Sequence, residues 1–182
     1  MLLATQLKNN TVFKIENETY VVVRYEHVTQ GRGGATIKVK VRNLRTGGVV
    51  EKGFNGNDKV NEADVSKASY QFLYADDASE YYMNMSDFDQ ITLPLSDEVK
   101  YLKEGEKVIV VSVDGEPAYI ELPKTVDLTV VEADPGVKGN SANNPSKRIK
   151  VETGLELQAP MFVKEGDVIK VNTETGEYLS RG

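Results

Sequence analysis

Apolar and polar positions alternate with a period of two along most of this chain. The clearest case is Ala35-Thr36-Ile37-Lys38-Val39-Lys40-Val41-Arg42. On an extended strand, Ile37, Val39 and Val41 fall on one face and Lys38, Lys40 and Arg42 on the other. Residues 19–29 upstream are rich in β-branched and aromatic side chains, and Gln30-Gly31-Arg32-Gly33-Gly34 lies between the two runs. The pattern predicts a β-hairpin with a glycine loop at its tip. At ~3.3 Å per residue, arms of this length carry the tip about 30 Å from the base. Glycine reaches positive φ at little steric cost, which explains a turn. A turn does not call for a long cation among the glycines, however, and bare backbone around Arg32 lets a ligand surface approach closely. Gly31, Arg32, Gly33 and Gly34 are therefore candidate contact residues, and Lys38, Lys40 and Arg42 suit phosphate contact along the arm.

The remaining segments also read as short strands. They are punctuated at Asn9-Asn10, Glu16-Asn17, Thr46-Gly47-Gly48, Asn55-Gly56-Asn57-Asp58, Asp76-Asp77, Asp114-Gly115, Asp134-Pro135-Gly136 and Thr175-Gly176. Turn signals this close together predict an all-β protein of barrels or sandwiches. Two short stretches led by serine, 86–90 and 96–102, are the helix candidates. A pattern of apolar residue, lysine, turn, strand, turn, strand starts three times, at Leu7-Lys8, Leu102-Lys103 and Val163-Lys164. It predicts three small β units, placed at 1–64, 65–128 and 129–182. Units this small are marginal alone, so neighbours are expected to share interfaces. The polar run 134–148 is long for a loop in a compact domain.

With 182 residues and a net charge of −6, the chain has ordinary globular composition. The charge is uneven. Residues 1–60 hold ten Lys/Arg against five Asp/Glu, and residues 61–182 hold twelve against twenty-three. A basic end on an acidic protein points to one localised anionic partner. No apolar run is long enough for a membrane-spanning helix, and no membrane partner is expected. The absence of cysteine fits a reducing cytoplasm. With a single histidine, His27, and no cysteine, a zinc site is not expected, and no metal or cofactor is called for. The sequence has no nucleophile elbow, no P-loop and no dinucleotide fingerprint. These features describe a binding protein rather than an enzyme.

Several stretches are similar to one family. Gly31-Arg32-Gly33-Gly34-Ala35, Val41-Arg42-Asn43-Leu44-Arg45-Thr46-Gly47 and Val50-Glu51-Lys52 resemble the amino-terminal domain of bacterial elongation factor P. Leu122-Pro123-Lys124-Thr125-Val126-Asp127-Leu128-Thr129-Val130 resembles the junction of its middle and last domains. Gly166-Asp167-Val168-Ile169-Lys170-Val171, with Thr175-Gly176-Glu177-Tyr178-Leu179-Ser180-Arg181, resembles its carboxy-terminal signature. The matches run from near residue 8 to residue 181 in the family's order. The resemblance implies an SH3-like (KOW-type) domain followed by two OB-folds, L-shaped like tRNA and monomeric. It implies binding to both ribosomal subunits between the peptidyl and exit sites, with Arg32 reaching along the P-site tRNA towards the peptidyl-transferase centre to relieve stalling at consecutive prolines. It further implies that Gly139, Asn140, Ser141 and Ala142 lie near exit-site mRNA, and that Tyr178 and Arg181 form a ribosome contact.

The tip departs from the family's Pro-Gly-Lys-Gly pattern, having neither lysine nor proline, so lysine-directed extension is excluded there. Arg32 is either glycosylated by a dedicated enzyme, as in some arginine-type members, or works through its bare guanidinium. Three other readings remain open: the elongation-factor-P-like paralogue, an enzyme or sugar-binding β-protein with pKa-shifted carboxylates in a deep pocket, and a general OB-fold RNA-binding module. The shortage of paired exposed aromatics in the sequence counts against the latter.

Overall fold

The computed structural model describes residues 1–29, 35–135 and 145–182. The described chain is all-β, with two 3-10 helices and no α-helix. Its strands form three antiparallel sheets. The first holds β1 (Leu2–Leu3), β2 (Val12–Ile15), β3 (Glu18–Thr29), β4 (Ala35–Asn43), β5 (Val49–Asn55) and β6 (Lys59–Glu62), in the order β1-β6-β2-β3-β4-β5. The second holds β7 (Val65–Ala75), β8 (Ser79–Asn84), β9 (Gln90–Pro94), β10 (Lys107–Val113) and β11 (Glu116–Glu121), in the order β11-β10-β7-β8-β9. The third holds β12 (Thr125–Ala133), β13 (Ser146–Val151), β14 (Glu156–Pro160), β15 (Val168–Asn172) and β16 (Tyr178–Arg181), in the order β14-β13-β12-β15-β16.

Alternation in the sequence becomes alternation in burial. Ile37, Val39 and Val41 are wholly buried with Leu7, Phe13, Tyr20 and Val22, while Lys38 and Lys40 are exposed. Phe13 stacks on Tyr20 and meets Phe54 edge-on. The hairpin forms as the sequence predicts, with β3 paired to β4 from Tyr20↔Asn43 to Thr29↔Ala35.

The threefold repeat is one structural device used three times. Leu7, Leu102 and Val163 are buried. The N–H of the next residue, Lys8, Lys103 or Lys164, donates to a side-chain oxygen three positions on: Thr11 Oγ1 at 3.1 Å, Glu106 Oε2 at 3.3 Å, Asp167 Oδ2 at 2.9 Å. The lysine carbonyl accepts the N–H of that same residue. Between them sits a residue at positive φ, Asn10 (67°), Gly105 (85°) or Gly166 (85°). Its N–H donates to the carbonyl of Val22, Phe72 or Val130, and the N–H of each of these donates back to the carbonyl of Thr11, Glu106 or Asp167. At these three receiving residues the long strand breaks register, between Val22 and Arg24, Phe72 and Tyr74, and Val130 and Glu132. A bulge bends a strand and increases its twist. One strand then serves both halves of its sheet: β12 pairs with β15 through residues 125–129 and with β13 through 130–133.

Both helix candidates need correction. Residues 86–89 form a turn that leads into β9 at Gln90, because the Asn84 side chain takes the Ser86 N–H and the Asn84 carbonyl takes that of Phe88. Residues 96–102 contain only the 3-10 helix Asp97–Tyr101. Ser96 precedes it without capping it, donating instead through its N–H and hydroxyl to Glu80 Oε1. Glu80 is 1% exposed, and its other oxygen accepts the Tyr82 hydroxyl at 2.7 Å. Three donors thus replace the water this carboxylate loses on burial. Burial, and then the bond to Glu80, push the Tyr82 phenol up.

Contacts divide the chain into two compact units, Met1–Lys67 with Val111–Tyr119, and Ala68–Val110 with Ile120–Gly182. In the first, Val113 packs with Val12 and Val21 beside Leu44, Ala63, Ala118 and Tyr119. Lys14 pairs with Asp114, whose N–H donates to the Asp64 carbonyl at 2.8 Å. The two-residue turn Asp114-Gly115 has φ of 53° and 87°, the left-handed pair that a tight hairpin needs. In the second unit, Tyr101 joins the core formed by Val126, Leu128, Ile149 and Ile169, and Thr173 donates to the Pro123 carbonyl at 2.6 Å.

The repeated turn gives a direct test. Nothing lies within 4 Å of a Cβ added at Gly166, so only its φ of +85° resists substitution. Gly166→Ala is expected to lower stability by about 1–2 kcal/mol, read as a lower urea midpoint at unchanged slope. An unchanged midpoint would show that the turn does not need glycine.

Candidate nucleic-acid interface

The outer face of β3, β4 and β5 is built from cross-strand rows. Lys40 lies between Arg24 and Glu51, and Lys38 between Glu26 and Gly53. The three cations and two carboxylates line one shallow depression with Val39. Lys38 Nζ stands 3.5 Å from Glu51, and Arg24 Nε 3.0 Å from Glu26. The strip is therefore not the purely cationic face that β4 alone suggests, because acids from the neighbouring strands interleave with it. Exposed pairs of this kind are worth ~0–1 kcal/mol, so a phosphate can replace the carboxylates at little cost. A Cβ added at Gly53 would meet nothing within 4 Å, which leaves room beside Lys38. Arg42 is half-buried, opposite Val21 and Val49.

The base of the hairpin is fixed by a compact turn. Asn43 Oδ1 accepts the N–H groups of Arg45 (2.8 Å) and Thr46 (3.0 Å), and its side-chain amide donates to Glu18 at 2.8 Å. Arg45 holds the same carboxylate through Nε. These bonds, Arg45 first, hold the Glu18 carboxyl below its usual range. The tip, Gly31, Arg32, Gly33 and Gly34, and the loop residues Gly139, Asn140, Ser141 and Ala142, lie outside the described residues.

At the carboxy end, Tyr178 packs half-buried against the third core. Arg181 is the last residue of β16. It bonds Asp167 Oδ2 at 2.8 Å and stands 5.6 Å from the ring centre of Phe162. Asp167 is also the closing residue of the third repeated turn, accepting the Lys164 N–H. The bond from Arg181, and then that N–H, hold the Asp167 carboxyl below the usual aspartate range.

Two surface features have no clear signal in the sequence. Tyr74 and Tyr81 stack with ring centres 4.4 Å apart, and Tyr74 is half-exposed. They become neighbours only because the bulge after Phe72 shifts the register to Tyr74↔Tyr81. The described surface thus does hold a paired aromatic. Phe88 is 67% exposed. Among the described residues, no cluster of His, Cys, Asp and Glu could hold a metal ion, and no helix is long and apolar enough to cross a membrane.

Three small antiparallel sheets in tandem, the first carrying a long hairpin with a charged strip, define a KOW-like domain followed by OB-type domains. Residues 3–60 match the Elongation factor P (EF-P) KOW-like domain, 65–120 the Elongation factor P (EF-P) OB domain, and 126–181 the family Elongation factor P, C-terminal. The chain is 38% identical over its whole length, and over the whole length of the relative, to Elongation factor P of Moorella thermoacetica. The chain belongs to the elongation factor P family of translation factors. Among solved structures, eukaryotic translation initiation factor 5A from Methanococcus jannaschii covers 66% of this chain with 90% of its own, at TM-score 0.50 and 17% identity, a likeness of fold.

Asp167 and Arg181 give a pH-dependent test. A carboxyl whose folded pKa lies below its unfolded value adds stability above the unfolded value, near ~3.9, and loses it as pH falls through the folded one. Arg181→Ala is expected to be less stable than wild type at pH 6, with the gap closing below about pH 4. A gap of constant size from pH 7 to pH 3 would show that the pair contributes nothing through ionisation.

Proposed function

We propose that the chain binds the ribosome between the peptidyl and exit sites and promotes peptide-bond formation at consecutive prolines by positioning the P-site tRNA. The observation that supports this reading best is the hairpin itself. It buries Ile37, Val39 and Val41 on one face of β4, carries Arg24, Lys38 and Lys40 on the other face of the hairpin, and has a sequence that places Arg32 at its tip, in a chain of the elongation factor P family.

The physical argument is one of positioning. Proline's ring restricts the backbone of the reacting substrates, and the ribosome supplies the chemistry. A rigid arm along the acceptor stem, with Lys38, Lys40 and Arg42 towards phosphates, holds the tRNA end in a reactive pose. A misplacement of about 1 Å there is worth ~100-fold in rate. Glu26 and Glu51 lower the positive charge of the strip, which weakens binding to bulk RNA and favours the complete ribosomal site. In this reading the three domains are 1–64, 65–128 and 129–182. Gly139, Asn140, Ser141 and Ala142 approach exit-site mRNA, Tyr178 and Arg181 contribute to a ribosome contact, and the factor works as a monomer in the cytoplasm. Arg32 acts either as a sugar-bearing residue or through its bare guanidinium, which peptide mass spectrometry on native protein distinguishes.

Two experiments test the reading. Arg32→Ala should return polyproline synthesis in a reconstituted system towards the factor-free rate while leaving the fold unchanged by circular dichroism. Full retained stimulation would sink the tip assignment. Lys38→Ala and Lys40→Ala should each weaken ribosome binding and reduce the salt slope of log K by about one. An unaltered slope would remove these residues from the phosphate contacts.

A further inference from the structure

The three domains share a second turn besides the one that closes them. In each, an asparagine at the end of a strand organises the loop: Asn43, Asn84 and Asn172. Its carbonyl accepts the N–H four residues on, from Gly47 (2.9 Å), Phe88 (3.0 Å) or Gly176 (2.8 Å). Its own N–H donates to the carbonyl of the residue after that, Gly48, Asp89 or Glu177. Its Oδ1 takes the N–H of Arg45, Ser86 or Glu174. The last side-chain bond also recurs, with Thr46 Oγ1, Asp87 Oδ1 or Thr175 Oγ1 accepting an N–H two residues ahead. The backbone is the same three times, and the fourth residue after the asparagine is left-handed each time, at φ of 72°, 64° and 74°.

Two of these turns use glycine there, which adopts such angles freely. The middle turn uses phenylalanine, a bulky side chain that strains this conformation. Packing does not account for it, because Phe88 is 67% exposed. The ring stands out on a tightly hydrogen-bonded loop beside exposed Ser86, Asp87, Asp89 and Gln90.

We propose that Phe88 is an aromatic anchor by which the second domain docks on a basic protein surface of the ribosome. The proposal rests on the ribosome-binding reading above. Charge selects the partner. Two carboxylates beside the ring repel a phosphate backbone, whereas an arginine or lysine gains both the ring face and a carboxylate. The backbone geometry fits an anchor as well. A ring held on a fixed turn loses little freedom on binding, and aromatic residues of this kind dominate the energetics of protein interfaces.

Phe88→Gly separates fold from contact. Relief of the left-handed strain should raise Tm by about 3 °C, while ribosome affinity should fall about tenfold. Phe88→Tyr should retain wild-type affinity, and Asp89→Asn should weaken binding with a shallower salt dependence. A photoreactive benzoylphenylalanine in place of Phe88 should cross-link to a basic ribosomal protein. Unchanged affinity of Phe88→Gly, with wild type still binding, would overturn this proposal alone, and cross-linking only to ribosomal RNA would overturn the choice of partner. Failure of the wild-type chain to bind ribosomes would instead remove the reading beneath it.

Discussion

Each sheet depends on a pair of backbone hydrogen bonds between a tight turn and a bulged strand. Where the turn carries a left-handed residue, its N–H reaches Val22, Phe72 or Val130 and receives a bond in return. Without that pair, the long strand would lack a partner at the point where it bends. The buried Leu7, Leu102 and Val163 hold the turns against the cores, and the side-chain acceptors Thr11, Glu106 and Asp167 close them. The bend lets a single strand of nine to twelve residues pair on both sides of a small core. Three short stretches of chain each acquire a closed hydrophobic interior in this way, although none is long enough to build a large flat sheet.

The hairpin of the first domain uses the same constraint for a different end. Its bend after Val22 comes where β3 leaves β2 and continues only with β4. Beyond that point Ile37, Val39 and Val41 of β4 are buried, while Lys38 and Lys40 and, across from them, Glu26 and Arg24 are exposed. Two carboxylates, Glu26 and Glu51, stand among the three cations Arg24, Lys38 and Lys40, and exposed pairs of this kind are weak.

The sequence made the strands and turns legible because both report local physics. Alternation marks a half-buried strand, and Asn-Gly or Asp-Gly pairs mark left-handed backbone. The repeat was visible too, because Lys-x-Gly-Glu and Lys-x-Gly-Asp write the turn almost directly into the chain. What was not legible depends on cross-strand register. Glu26 and Glu51 face Lys38 and Lys40 only through pairings that no single segment reveals, and Tyr74 meets Tyr81 only across a bulge. The stretch 86–90 looked helical because serine and acidic residues also begin helices. The Asn84 side chain decided otherwise. At the carboxy end, the partner of Arg181 could not be read either, because Asp167 lies fourteen residues away on the preceding turn.

The tip of the β10–β11 hairpin completes a small apolar cluster with Val12 and Val21 and an ion pair with Lys14. In evolutionary terms, the compact unit that holds the amino-terminal module is not contiguous in sequence. A peptide ending at residue 64 would leave Val12 and Val21 facing water and Lys14 without its carboxylate, although every strand of the first sheet were present. An exchange that kept this apolar cluster whole would carry the nine-residue piece 111–119 along with the module. A cut at residue 64 would also remove Asp114, whose carboxylate accepts the Asp64 N–H from fifty positions further along the chain.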